Sequence, residues 1–182
     1  MSVLPAVLLS GPPASGKTNL SHLVARQLRA AMIDQDVATG PLVCVVQQLA
    51  GVDDLDDERL AGLTREPRYR VVLDLAVVNL ASGMPVVLVA PFTTERADPT
   101  AWGAAQGRLV AAVWLRLEPT EVLRRLRERG ATRDAAKLGD ESAYLARLAV
   151  TACQPPVVSH LALDANLPLD ALARAVLKAV SA

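Results

Sequence analysis

Eight residues near the N-terminus constrain this chain more than any others: Gly11-Pro12-Pro13-Ala14-Ser15-Gly16-Lys17-Thr18. They fit the pattern G-x-x-x-x-G-K-[ST]. They also sit between a short aliphatic run, residues 3–10, and a stretch in which Leu20, Leu23, Val24, Leu28 and Ala31 recur at helical spacing. A strand that breaks into glycines and reopens as a helix has a specific physical use. Gly11 and Gly16 let the backbone turn its amides inward around an anion. The helix that follows points its positive end at that anion. Lys17 adds a point charge for the outer phosphates, and the Thr18 hydroxyl is a ligand for Mg²⁺. The eight residues therefore predict a cradle for a nucleoside triphosphate.

Beyond the loop, aliphatic runs alternate with helical patterns. Strands are expected over residues 3–10, 31–33, 84–92, 108–117 and 157–165. Helices are expected over 17–30, 40–49, 69–80, 120–129, 142–151 and 167–180, with a short one inside 93–107. Residues 51–67 read as an acidic loop and 130–142 as a charged one. Five strands separated by helices imply a parallel sheet with helices on both faces, in one domain spanning residues 1–182. With 52% hydrophobic and only 3% aromatic residues, the core must be aliphatic. Stacking platforms for single-stranded nucleic acid are therefore not expected. Nineteen basic residues balance nineteen acidic ones, so net charge argues neither for nucleic acid nor for an anionic membrane, and neither is expected as a partner. No apolar run is long enough to span a bilayer and no leader pattern opens the chain, so a cytoplasmic location is expected. Cys44 and Cys153 lack metal-ligand spacing and read as reduced thiols of the core or its boundary.

The second strand stops at Asp34-Gln35-Asp36. In a parallel sheet the carboxyl ends of the strands face the ligand crevice. A carboxylate there accepts a proton from an attacking hydroxyl or helps to hold Mg²⁺ through water, whereas the competing use of an Asp at that place is to cap the next helix. Further along, Arg124, Arg125, Arg127, Arg129 and Arg133 crowd one helix and its exit. The first three read as a solvated face. Arg129 and Arg133 flank Gly130, where a lid spanning about 124–141 would hinge and deliver cations to a phosphoryl group. Phe92 and Arg96 follow the third strand and should border an acceptor pocket, together with Arg68, Tyr69 and Arg70. The run Asp53, Asp54, Asp56, Asp57, Glu58 reads as a solvated loop. His22, His160, Trp102 and Trp114 read as packing residues.

Four stretches, "GPPASGKT", "MIDQD", "RLRERGATRD" and "VVSHLALDANLPLDALARAVL", span nearly the whole chain. Together they resemble small P-loop kinases of the nucleoside-monophosphate-kinase-like class: gluconate kinases, adenylylsulfate kinases and chloramphenicol phosphotransferases. The resemblance implies a three-layer P-loop fold with a five-stranded parallel sheet, and an acceptor pocket between the second-strand loop and the third helix. It implies Asp36 as catalytic base, with Lys17, Arg129 and Arg133 acting on the transferred group. It also implies ATP with Mg²⁺, and a hydroxylated metabolite or antibiotic as acceptor. One departure stands out: the third strand ends in Ala90-Pro91-Phe92, with no acid to order Mg²⁺. That weakens any reading as a mechanical ATPase or switch GTPase and resembles the gluconate-kinase branch. No N-K-x-D segment reads guanine, which favours ATP as donor. The rival readings are an ATP-binding regulatory protein without transfer activity, and a toxin-like kinase of a sugar nucleotide.

Overall fold

The computed structural model describes residues 4–52, 57–92, 111–131, 134–157 and 159–181. Its centre is β1 (Ala6–Ser10), every residue of which is buried. The chain then forms α1 (Lys17–Leu28), β2 (Ala31–Asp34), α2 (Gln35–Ala50), α3 (Glu58–Ala81), β3 (Val86–Val89) and β4 (Ala111–Arg116). Next come α4 (Pro119–Arg129), α5 (Ala135–Gly139), α6 (Glu141–Val150), β5 (Leu161–Asp164) and α7 (Leu169–Val180). All five strands are parallel, in the order β2-β3-β1-β4-β5. Because β1 lies between β3 and β4, the loop that leaves its carboxyl end emerges at the middle of the sheet.

Alternation along the strands splits the core in two. Val7 and Leu9 of β1, with Val87, Val113 and Leu115, pack under Leu20 and Val24 of α1, Val122 and Leu126 of α4, and Leu172 and Val176 of α7. Ala6 and Leu8, with Val86, Leu88 and Ile33, face Tyr69, Val72 and Ala76 of α3. A sheet covered on both faces needs apolar residues at consecutive positions, which is why the strands read as unbroken aliphatic runs. None of the described helices is long and apolar enough to cross a membrane.

Three elements depart from the sequence expectations. First, α2 begins at Gln35 rather than at residue 40. Asp34 ends β2 in extended conformation and caps the helix in the same step, its Oδ1 accepting from Asp36 N at 2.9 Å and Val37 N at 3.4 Å. Second, α3 begins at Glu58, so the stretch read as loop is helical from there on and runs through Pro67. Proline removes a backbone donor and usually ends a helix. Here Asp57 caps the start, accepting from Arg59 N and Leu60 N, and both halves are anchored: Leu60 and Thr64 are buried before the proline, and Tyr69, Val72 and Ala76 after it. Third, the stretch read as a charged loop after Gly130 contains α5. The short helix expected within 93–107 lies outside the described residues.

Candidate active site

The loop after β1 holds its glycines at positions where other residues fit poorly. Gly11 has φ 147°, and a Cβ placed on it would stand 2.7 Å from the Leu115 carbonyl oxygen, so only glycine lets the chain pass β4 this closely. Ala14 (φ 57°) and Gly16 (φ 84°) are both left-handed, the kind of backbone that successive N–H groups need to form an anion-binding nest. Gly16 is also the N-cap of α1 and contributes no side chain, and the first turn of that helix holds no acid. The positive end of α1 is thus uncompensated by a carboxylate of its own turn. Ser15 is buried, and its hydroxyl oxygen has no hydrogen-bond partner among the described residues. A buried hydroxyl left without a partner is costly, and this one sits within the loop. Lys17 Nζ donates to Gly11 O (2.9 Å) and Pro12 O (2.7 Å), bracing the cradle from inside.

Thr18, on the first turn of α1, donates its hydroxyl to Asp34 Oδ2 at 3.2 Å. Asp34 therefore serves three groups at once: two backbone amides of α2 through Oδ1 and the loop threonine through Oδ2. Capping turns the chain so that Asp36 stands on the first turn of α2. Its Oδ1 accepts from Arg68 Nη2 at 2.6 Å, and Arg68 Nε donates to Thr39 Oγ1 at 3.0 Å. Thr39 in turn donates to the carbonyl of Gln35. Arg68 is held from two sides while Asp36 remains largely open to solvent.

The arginine-rich helix divides by face. Arg124 pairs with Glu121 and Glu128, and Arg127 with Glu141, all at the surface. Hydrogen bonds first from Arg124 and then from Arg125 hold the Glu121 carboxyl down to about 2. The Glu141 carboxyl is lowered by Arg127, and the Arg124 and Arg127 guanidiniums are raised by the same pairs. Arg125 behaves otherwise and corrects the reading of its face as solvated. It is half-buried. Its Nη1 lies 3.4 Å from Ala14 O, and its Nη2 donates to Ala165 O (3.2 Å) and Asn166 Oδ1 (2.7 Å). It ties the cradle to the loop that follows β5. Arg129 donates two N–H groups to Asp134, a carboxylate almost wholly buried.

The glycine loop, the Asp34–Asp36–Arg68 group and part of the arginine-rich helix share one open cleft of about 780 Å³. Gly11, Pro13, Ala14, Gly16, Lys17 and Thr18 line one part of it, and Asp34, Asp36 and Arg68 another. Val43, Cys44, Val89, Ala90 and Pro91 add an apolar wall, and Arg125, Arg129, Asp134 and Lys137 complete it. Phe92 does not border this cleft as expected. It is buried against Tyr69, ring centroids 5.1 Å apart, and supports the wall from behind. Arg96 and Arg133 lie outside the described residues, as do Trp102 and the acidic residues Asp53, Asp54 and Asp56. His22 is exposed rather than packed. His160 meets Trp114 edge-on, a packing contact. Cys44 is exposed on the cleft rather than in the core.

Gln35, Asp134 and Lys137 line the cleft although the sequence reading gives them no role there, and Arg125 and Cys44 line it although that reading makes them a solvated arginine and a thiol of the core or its boundary. A signal existed for Arg125: it stands four residues before Arg129, on the same flank of a helix whose core face is Val122 and Leu126. For the others the chain offers no local pattern.

Comparison with known proteins bears on the fold. A family model described as AAA domain matches residues 7–152. A gluconokinase from Sinorhizobium meliloti 1021 superposes with a TM-score of 0.64 at 20% identity, covering 100% of this chain and 94% of that one. A sugar kinase from Janibacter sp. HTCC2649 gives 0.66 at 17%, covering 98% and 95%. A shikimate kinase from Aquifex aeolicus gives 0.55 at 15%, covering 97% and 96%. At these identities the likeness is one of fold, and the fold is that of small P-loop kinases. A curated relative, a Holliday junction branch migration complex subunit from Anaeromyxobacter sp. (strain Fw109-5), is 48% identical over 46 residues. That match spans 25% of this chain but only 13% of the relative.

Proposed function

The chain belongs to the AAA domain family, and from that premise we propose that it is an ATP-dependent phosphotransferase acting on a hydroxyl of a small molecule, with the whole chain as one catalytic domain. One observation carries the reading: the phosphate cradle and the Asp34–Asp36–Arg68 group line the same cleft, joined by the Thr18–Asp34 hydrogen bond. A protein that only binds nucleotide has no need for a carboxylate and a guanidinium aimed into the space beside its phosphates.

In this reading the loop amides, the N-terminus of α1 and Lys17 bind the triphosphate and orient its outer group. The acceptor lies against Asp36, Arg68 and the apolar wall of Val43, Val89 and Pro91. Its hydroxyl oxygen forms a bond to the γ-phosphorus, and the bond from that phosphorus to the β–γ bridging oxygen breaks. ADP leaves with the electron pair, and the hydroxyl proton passes to the Asp36 carboxylate. Arg129 neutralises charge on the group in transit.

The donor set fits a magnesium ion. Thr18 Oγ1 and Asp34 Oδ2 are adjacent hard oxygen donors, and among the described residues no cluster of three or more His, Cys, Asp or Glu side chains forms a cage. Mg²⁺ is bound in this manner, by one or two protein oxygens together with substrate phosphates and water. Thr18 would hold it directly and Asp34 through water, and when bound it would supply neutralisation of phosphate charge.

The test is an acceptor screen. Purified protein with ATP and Mg²⁺ is offered sugars, sugar acids, nucleosides and antibiotics, and ADP release is measured. Acceptor-dependent release supports the reading. Tight ATP binding with no acceptor-dependent release across the panel would point to the regulatory alternative.

A further inference from the structure

A buried carboxylate in this cleft has no part in the reading above. Asp134 precedes α5, and its side chain is 2% exposed. Burying an ionised carboxylate is expensive unless it is paired and hydrogen-bonded. Here two cations meet it. Arg129, on the last turn of α4, donates Nε–H at 2.9 Å and one Nη2–H to Oδ2. Lys137, on α5, brings Nζ to 3.8 Å from Oδ1 with its side chain 15% exposed. Arg129, Asp134 and Lys137 all line the cleft that holds Gly16 and Lys17. The helix that carries Arg129 is fastened to the cradle by the approach of Arg125 to Ala14 O.

The charge balance of the trio is what matters. Within the trio, two cations face one anion. A guanidinium gripped through Nε and one edge of Nη2 still presents its Nη1 edge to another anion. Long cationic side chains lose rotamer freedom when they bind. A buried carboxylate that fixes two of them in advance removes part of that cost.

Resting on the proposed phosphotransfer reading, we propose that Asp134 is a positioning residue that holds Arg129 and Lys137 as a two-cation wall for the outermost phosphate. Lys137 is thereby a phosphate-binding residue in addition to Lys17.

The experiment is titration calorimetry with three probes: Mg·ATP, Mg·ADP, and inorganic tripolyphosphate, which lacks a base. Wild type is compared with Lys137→Gln, Asp134→Asn and the double variant, with thermal midpoints recorded for each. Lys137→Gln should weaken ATP and tripolyphosphate about 10-fold or more, the scale of one charge-assisted contact, and weaken ADP less. Asp134→Asn should lower the preference for ATP over ADP in the same direction. The double variant should then lose less than the product of the two single effects, because the residues act as one unit. A general loss of structure would lower ATP and ADP affinity alike and would not reproduce that preference. If Asp134→Asn does not fold, Lys137→Gln alone decides. Unchanged ATP-over-ADP preference and unchanged tripolyphosphate affinity in Lys137→Gln would overturn the inference even where Mg·ATP binds wild type well. Failure of wild type to bind tripolyphosphate would overturn it too. Failure of wild type to bind Mg·ATP while tripolyphosphate binds and responds to Lys137 would instead overturn the phosphotransfer reading.

Discussion

Changing Asp36 to asparagine should separate chemistry from stability. The Asp36 side chain is 65% exposed and its partner Arg68 26% exposed. Ion pairs that open to water contribute about 0–1 kcal/mol. Arg68 also keeps its bond to Thr39 when the carboxylate is gone. The loss of folding stability should therefore stay below about 1 kcal/mol, at most roughly 2–4 °C in the thermal midpoint for a chain of this size. As general base, the same carboxylate would contribute ~10²–10⁴-fold in rate, or about 3–5 kcal/mol of barrier. The kinetic effect thus exceeds the structural one severalfold. Asp34 should show the reverse balance. Asp34→Ala removes the acceptor for two amides of α2 and for Thr18, and losing an N-cap costs roughly 0.5–2 kcal/mol. The assay pairs single-turnover transfer to the acceptor found by the screen with a thermal melt of each variant. Asp36→Asn transferring within about threefold of wild type would refute the assignment of the base. A melt lowered well beyond 4 °C would refute the claim that the pair is energetically minor.

Gly11→Ala meets both a positive φ and a backbone oxygen of a buried strand at 2.7 Å. It should cost about 2–6 kcal/mol in urea denaturation, by strain plus overpacking. Gly16→Ala, with nothing within 4 Å of its Cβ, meets strain alone and should cost about 1–3 kcal/mol. Equal losses would contradict this account of the loop. Lys17→Ala should weaken Mg·ATP roughly 10- to 150-fold by calorimetry, the value of one charge-assisted contact; unchanged affinity would place the nucleotide elsewhere. Glu121 is held down to about 2 from 4.5 by Arg124 and Arg125. Its pairing therefore stabilises the fold fully above pH about 4.5 and is lost as pH falls towards 2. Wild type should melt above Glu121→Gln at neutral pH and converge with it near pH 2; a constant gap would show that the pairing contributes nothing.

The parts legible in the sequence are those written locally. A buried strand needs consecutive aliphatic residues, and a phosphate cradle needs glycines at fixed offsets. Both β1 and the loop from Gly11 to Thr18 could thus be read from a dozen letters. The beginning of α2 was obscured because Asp34 is at once the last residue of a strand and the cap of a helix, and strand and cap call for different patterns at one position. Pro67 concealed the first half of α3 for the opposite reason. Its local preference to break the helix is outweighed by burial on both sides of it, Leu60 and Thr64 before and Tyr69 and Val72 after. Phe92 was misplaced because following a strand towards the cleft gives no information on which way the next side chain turns.

Two of the polar contacts of the cleft join residues remote in sequence. Arg68 reaches Asp36 across 32 positions, and Arg125 reaches Ala14 across 111. Neither distance leaves a periodic trace. Within α4, Arg124, Arg125 and Arg127 are equivalent by composition and helix propensity. What separates them is that Val122 and Leu126 must face the core, which turns the flank carrying Arg125 and Arg129 towards the cradle and leaves Arg124 and Arg127 to the surface carboxylates. The apolar pattern of the helix therefore selects which arginines can serve a phosphate. The arginine count alone does not.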